Sequence, residues 1–271
     1  MLKRVLSGAV LALFFAAVIL FNDSFPLALN IVVALISAAS VFELTKALGL
    51  ERKWFLFLPA LAMAAAAPFC GDALFAVYCL FTLVMFSAML LYHRETSFKE
   101  VAVLYSMVVM IPSALNTLVL LRAMAPGHGM FLVLVAVMSA WVADVGAFFA
   151  GTFFGKHKLC PEISPKKTIE GAVGGLVLNV AVMLLWGLLF SQWFYGGTVQ
   201  ANYLFLFLAG FLGTFVSILG DLSFSLIKRS CHIKDFGQVI PGHGGILDRF
   251  DSVIFTAPFL YLLATYLPPV F

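Results

Sequence analysis

Nine apolar stretches constrain the fold of this chain more than any other feature. They lie near residues 5–21, 26–47, 54–68, 72–92, 101–124, 130–154, 171–194, 202–227 and 246–268, and the one at 54–68 is the shortest. Nearly all are long enough to cross a bilayer as helices. With 63% hydrophobic and only 11% charged residues among 271, the chain holds more apolar surface than a soluble domain can bury. In lipid, the backbone satisfies its own hydrogen bonds only in helices or closed barrels. The sequence therefore predicts an all-α polytopic membrane protein with about nine transmembrane helices. The first stretch follows MLKR and precedes Asn22-Asp23-Ser24-Phe25, which offers no small-x-small cleavage site, so it reads as a retained helix.

The cations test this count. If nine helices alternate in direction, all of the 16 Lys and Arg residues except Arg122 fall on one side. They are Lys3 and Arg4; Lys46, Arg52 and Lys53; Arg94 and Lys99; Lys156, Lys158, Lys166 and Lys167; and Lys228, Arg229, Lys234 and Arg249. The positive-inside rule puts that side, with the N-terminus, in the cytoplasm. The net charge of +3 is small and gives no reason to expect a nucleic-acid partner. Cys70, Cys79, Cys160 and Cys231 are too scattered for a zinc site or a disulfide framework. No Walker loop, G-x-S-x-G elbow or H-E-x-x-H motif is present.

The two halves differ. Residues 1–125 hold five mostly apolar segments suited to helix contacts and lipid access, whereas residues 126–271 hold nearly all the chemistry. The run Ser225 to Asp251 concentrates Lys228, Arg229, Lys234, Asp235, His243, Asp248, Arg249 and Asp251 around the Gly-rich turn Ile240–Gly245. Cations beside carboxylates near a glycine turn suit phosphates and a divalent metal. Upstream, Thr214, Ser217, Asp221, Ser225 and Lys228 are spaced by 3, 4, 4 and 3 residues and share one helical face. Asp144 lies within another apolar segment, and intramembrane carboxylates mark functional sites by default. Between the sixth and seventh segments, Ile163 to Gly171 carries Lys166 and Lys167, with Thr168 or Ser164 placed to cap the next helix. Glu43, three residues before Lys46, reads as half of an interfacial ion pair.

The stretch S-L-I-K-R-x4-K-D-F-G-x2-I-P-G-H-G-G-I-L-D-R-F-D, from Ser225 to Asp251, resembles the signature of phosphatidate cytidylyltransferases. Ala143 to Phe148, Ile163 to Gly171 and Gly220-Asp221-Leu222 resemble that family's other blocks, in the same order. The resemblance covers the last four segments; the first five match only in hydropathy and size. Phe224 stands where many bacterial members have Glu.

The resemblance implies the reaction CTP + phosphatidate → CDP-diacylglycerol + pyrophosphate. It also implies dependence on Mg²⁺, with a monovalent cation beside it left open, and a homodimer in the bacterial inner (plasma) membrane with a cytoplasm-facing site. Asp221 and Asp248 would be the metal ligands, supported by Asp144 and Asp251, with Lys167 also catalytic. Substrate contacts would come from Lys166, Ser225, Lys228, Arg229, Lys234, His243, Gly244, Gly245 and Arg249. Two competing readings are another CTP-dependent lipid enzyme, of the polyprenol kinase or CDP-archaeol synthase type, and a transporter using Asp144 and Asp221. The motif match favours phosphatidate, and no internal repeat supports transport.

Overall fold

The structure, a computed structural model, describes residues 25–125, 127–194, 196–238 and 244–271. The apolar stretch at 5–21 and residues 239–243, His243 among them, lie outside the described residues. The protein is a helical, multi-pass membrane protein, and six of its described helices are long and apolar enough to cross a bilayer. These six spans do not by themselves reach the expected count of nine.

By compactness the chain divides into two units. One comprises Met1–Val119 with Ser230–Phe250, the other Leu120–Arg229 with Asp251–Phe271.

In the first unit, α1 (Ala28–Ala47) is followed by α2 (Trp54–Ala66), two short 3₁₀ turns, α3 (Leu74–Leu91) and α4 (Phe98–Met124), most of which belongs here. Val41, Leu56, Ala60, Met63, Phe81, Met85, Leu104 and Val108 form its buried core. A capping box starts α4. The Ser97 amide donates to Glu100 Oε2 at 2.8 Å, and the Glu100 amide donates to Ser97 Oγ at 3.3 Å. Lys53, just before α2, donates to the other Glu100 oxygen at 2.7 Å and joins the starts of the two helices. Pro59 and Pro112 sit inside α2 and α4, which membrane helices tolerate when neighbouring groups meet the freed backbone.

The second unit contains α5 (Gly129–Phe154), a hairpin of β1 (Lys158–Cys160) and β2 (Ser164–Thr168), α6 (Ile169–Leu189) and α7 (Tyr203–Ser230). A single turn of π-helix, Phe190–Phe194, ends α6. In the first unit, the four-residue α8 (Leu247–Phe250) precedes the boundary at Asp251; beyond it α9 (Val253–Tyr266) completes the second. The ninth apolar stretch, expected as one helix over 246–268, is thus interrupted at Asp251–Ser252. Hydropathy shows that the stretch is apolar, but not where its backbone stops being helical.

The stretch between the sixth and seventh segments is an antiparallel hairpin rather than an irregular loop, pairing Lys158 with Thr168 and Cys160 with Ser164. Thr168 caps α6 as expected, accepting from the Gly171 amide at 3.1 Å. Glu170, in the first turn, accepts from the Lys156 and His157 amides and from the His157 ring, whose Nδ1 lies 2.6 Å from Oε1. The hairpin is therefore tied to the start of α6 at both of its ends.

Small residues bring α5 and α6 together. A Cβ on Gly175 would lie 2.6 Å from the Ala143 carbonyl, and one on Gly171 would lie 2.7 Å from that of Ala147. Lipid offers no hydrophobic drive between helices, so association rests on such close contact and on interhelical hydrogen bonds. Asn179 supplies the bonds. Its Nδ2 donates toward the carbonyls of Ser139 (2.9 Å) and Gly210 (3.1 Å) and toward Thr214 Oγ1 (3.0 Å). Gly175→Val is expected to force α5 and α6 apart and destabilise the protein by about 1–3 kcal/mol. A thermal melt in detergent checks this.

Candidate active site

The polar face of α7 serves two purposes. Thr214 and Ser217, both buried, bond to Gly210 O at 2.7 Å and to Ala140 O at 3.4 Å. Ser217 thus joins α7 to α5, while Thr214 bonds within α7 and its hydroxyl accepts from Asn179 of α6. One turn on, at Asp221, the face becomes charged.

Asp221 pairs with Lys167 of β2, and the two side chains are 22% and 23% exposed. The hairpin explains this meeting. Its last strand runs directly into α6, so Lys167 is held one residue before the Thr168 cap. Lys166, its neighbour on the strand, is exposed. Seven residues after Asp221, Lys228 Nζ lies 3.9 Å from Asp251 Oδ2, and these side chains are 12% and 8% exposed. Asp251 occupies the interruption before α9, where its Oδ1 accepts from the Ser252 amide at 2.8 Å. The Ser252 hydroxyl donates to Asp144 Oδ2 of α5 at 3.0 Å and also lies 3.4 Å from Asp251 Oδ1. A Cβ on Gly220 would lie 2.9 Å from the Asp251 carbonyl, so α7 needs glycine there to approach the interruption. The charges of Asp221, Lys228 and Asp144 all act on Asp251.

Three carboxylates and two ammonium groups thus gather from α5, β2, α7 and the segment before α9. Such groups are costly at membrane depth unless paired, and here they are paired. Ser225 is half-buried on the same helix, and Arg229 is exposed at its end. Phe224 is fully buried and meets Phe255 edge-on at 6.3 Å, so it contributes apolar contact.

The first unit has its own carboxylate site. Asp248 Oδ2 accepts from the Phe236 amide at 2.8 Å and from the Gly245 amide at 3.0 Å. Gly244, at φ +89°, adopts a left-handed conformation that suits glycine. Glu43 of α1, 2% exposed, accepts from the Ile246 and Leu247 amides at 3.0 and 2.9 Å. This corrects its reading as an interfacial partner of Lys46. The missed signal was a carboxylate inside an apolar helix, which deserved the same weight as Asp144. Lys234 and Arg249 are exposed.

The protein is thus a polytopic membrane protein with carboxylates and ammonium groups paired among its apolar helices. The sequence model described as the Cytidylyltransferase family matches residues 2–267, and the chain belongs to that family and is an enzyme. It is 31% identical over 277 residues to a phosphatidate cytidylyltransferase of Bacillus subtilis, covering 97% of each chain. A phosphatidate cytidylyltransferase of Synechocystis is 44% identical over 142 residues, covering 52% of this chain and 46% of the relative. One from Haemophilus influenzae is 40% identical over 134 residues, covering 49% and 46%.

Proposed function

We propose that this protein transfers the cytidylyl group of CTP to phosphatidate, forming CDP-diacylglycerol and pyrophosphate for phospholipid synthesis. The observation that carries this reading is the gathering of Asp144, Lys167, Asp221, Lys228 and Asp251 in one unit of a chain that matches the family over nearly its full length.

The phosphatidate phosphate needs little activation, because a phosphomonoester already loses its second proton near pH 6. One of its oxygens bonds to the α-phosphorus of CTP, and the bond from that phosphorus to the bridging oxygen breaks. Pyrophosphate carries away the electron pair. The obstacle is repulsion between two anions, so the protein's contribution is alignment and neutralisation. Lys167 and Lys228 are positioned for this by their carboxylate partners, which hold each ammonium group in place before substrate arrives. Arg229, Lys166, Lys234 and Arg249, all exposed, would meet the outer phosphates.

The donor set fits Mg²⁺. Asp144 and Asp251 converge on one hydroxyl, with Asp221 close enough to act on Asp251. Among the described residues no three Asp, Glu, His or Cys groups close a metal cage. Mg²⁺ commonly uses one or two carboxylates together with substrate phosphates. Asp221 would be one ligand, with Asp144 and Asp251 in support, and the family resemblance implies Asp248 as the other. When bound, the metal supplies charge neutralisation at the reacting phosphates. Chelation with EDTA is expected to drop product formation to background and added Mg²⁺ to restore it, read by pyrophosphate release.

The proposal includes a setting. The basic segments face the cytoplasm of a bacterial plasma membrane, where CTP is available, and the protein works as a homodimer. The charge pattern supports the orientation, and the bacterial relatives support the location. The decisive test supplies purified protein with CTP, Mg²⁺ and phosphatidate, with polyprenol acceptors alongside. Mass spectrometry should find CDP-diacylglycerol from phosphatidate alone; product only from polyprenol would overturn the reading.

A further inference from the structure

We infer, on the reaction proposed above, that Glu170 is a positioning residue: by fixing the hairpin to α6 it sets where Lys167 stands, and it acts on turnover through that ammonium group. All of the groups involved belong to one unit. Lys156 and His157 link the Gly155 cap of α5 to β1. Glu170 takes hold of both. Its Oε2 accepts from the Lys156 amide at 3.1 Å and from the His157 amide at 3.2 Å, and its Oε1 lies 2.6 Å from His157 Nδ1. Beside these bonds, the Ile169 amide donates to the His157 carbonyl at 2.9 Å. The end of β2 is held by shape instead. A Cβ on Gly151 would lie 2.8 Å from Thr168 Oγ1, and one on Gly155 would lie 2.8 Å from Thr168 Cγ2. Thr168 therefore sits in a notch of α5 that a side chain at either position would fill.

Lys167 stands one residue before that notch and pairs with Asp221 of α7. The strands pair across Lys158 and Thr168. Two anchors, one ahead of β1 and one at the end of β2, thus fix the angle of the hairpin as well as its attachment. A carboxylate in the first turn of a helix also suits the helix dipole, but the dipole calls for no partner on the segment before β1. Stability is not the main return either. The His157 and Glu170 side chains are 75% and 25% exposed, and exposed ion pairs add little. Position is worth more, because a shift of about 1 Å at a reacting group costs up to about 100-fold in rate.

The test uses the full-length protein in detergent with CTP, Mg²⁺ and phosphatidate. It compares wild type, Glu170→Ala, Lys167→Ala, the double variant and His157→Ala. Glu170→Ala is expected to lower kcat by about 10-fold, within the range for a displaced group. On the Lys167→Ala background the same change should cost nothing further, because the group it positions is gone. A merely structural role would lower activity equally in both backgrounds. Acetylation by acetic anhydride, read by peptide mass spectrometry, follows the ammonium group without substrate. Lys167 should react several-fold faster in Glu170→Ala, while the exposed Lys46 and Lys99 keep their rates. His157→Ala removes only the ring contact and should show both changes in smaller measure. Wild-type kcat in Glu170→Ala, an equal loss on the Lys167→Ala background, or unchanged Lys167 acetylation would overturn the inference. If Glu170→Ala does not fold, unchanged Lys167 acetylation in His157→Ala overturns it. If the wild-type protein makes no CDP-diacylglycerol, the reaction assignment fails, while acetylation still decides whether Glu170 places Lys167.

Discussion

Asp221→Asn is expected to lower turnover by about 10²- to 10³-fold, the usual cost of removing one preorganised charge from a phosphoryl-type site. Asp221 and Lys167 form an ion pair in which each side chain is only about one-fifth exposed. Asn keeps the size and removes the charge. It leaves the Lys167 ammonium without its counter-ion and takes one carboxylate from the group that surrounds Asp251. Lys167→Ala should cost a similar factor by removing a cation from the phosphates. Because the two act as a pair, the double variant should be little worse than either single one. Size-exclusion profiles should match wild type. Single-variant activity above a tenth of wild type would sink the assignment, and strictly additive losses would show that the two groups work independently.

Asp248→Asn should abolish turnover, to below about 1% of wild type by the same electrostatic scale, while the protein still inserts in the membrane. The turn itself should survive, since Asn retains an oxygen that can accept from the Phe236 and Gly245 amides. What it loses is the negative charge. Exchange protection at those two amides separates the two effects. A protected turn with no activity assigns the charge a chemical role; a protected turn with full activity would reduce Asp248 to a structural clamp.

Much of this molecule could be read from its residues. The membrane class follows from hydropathy alone, and the Thr168 cap follows from its place before an apolar run. Asp144 and Asp221 stood out because charge inside an apolar segment is expensive. Glu43 escaped because sequence displays only near neighbours. Lys46 lies three residues away, whereas the amides that bind Glu43 lie about 200 residues along the chain. The split in the α7 stripe was equally invisible. Thr214 and Asp221 share a helical face, but one meets Asn179 and the other meets Lys167, and only the fold determines which neighbour each face finds. The interruption at Asp251–Ser252 arises where a carboxylate accepts its neighbour's amide, a local competition with the helix that apolar periodicity does not register.

That interruption also shortens the last apolar helix of the chain. With 14 residues, α9 covers about 21 Å, against roughly 30 Å of hydrocarbon, whereas the 26 residues of α5 cover about 39 Å. A short helix of this kind is accommodated by thinning of the adjoining bilayer. Thinning of that kind would bring headgroups beside α9 deeper than those beside the longer helices. A bilayer drawn in beside α9 would shorten the way of a lipid headgroup to residues near the start of that helix.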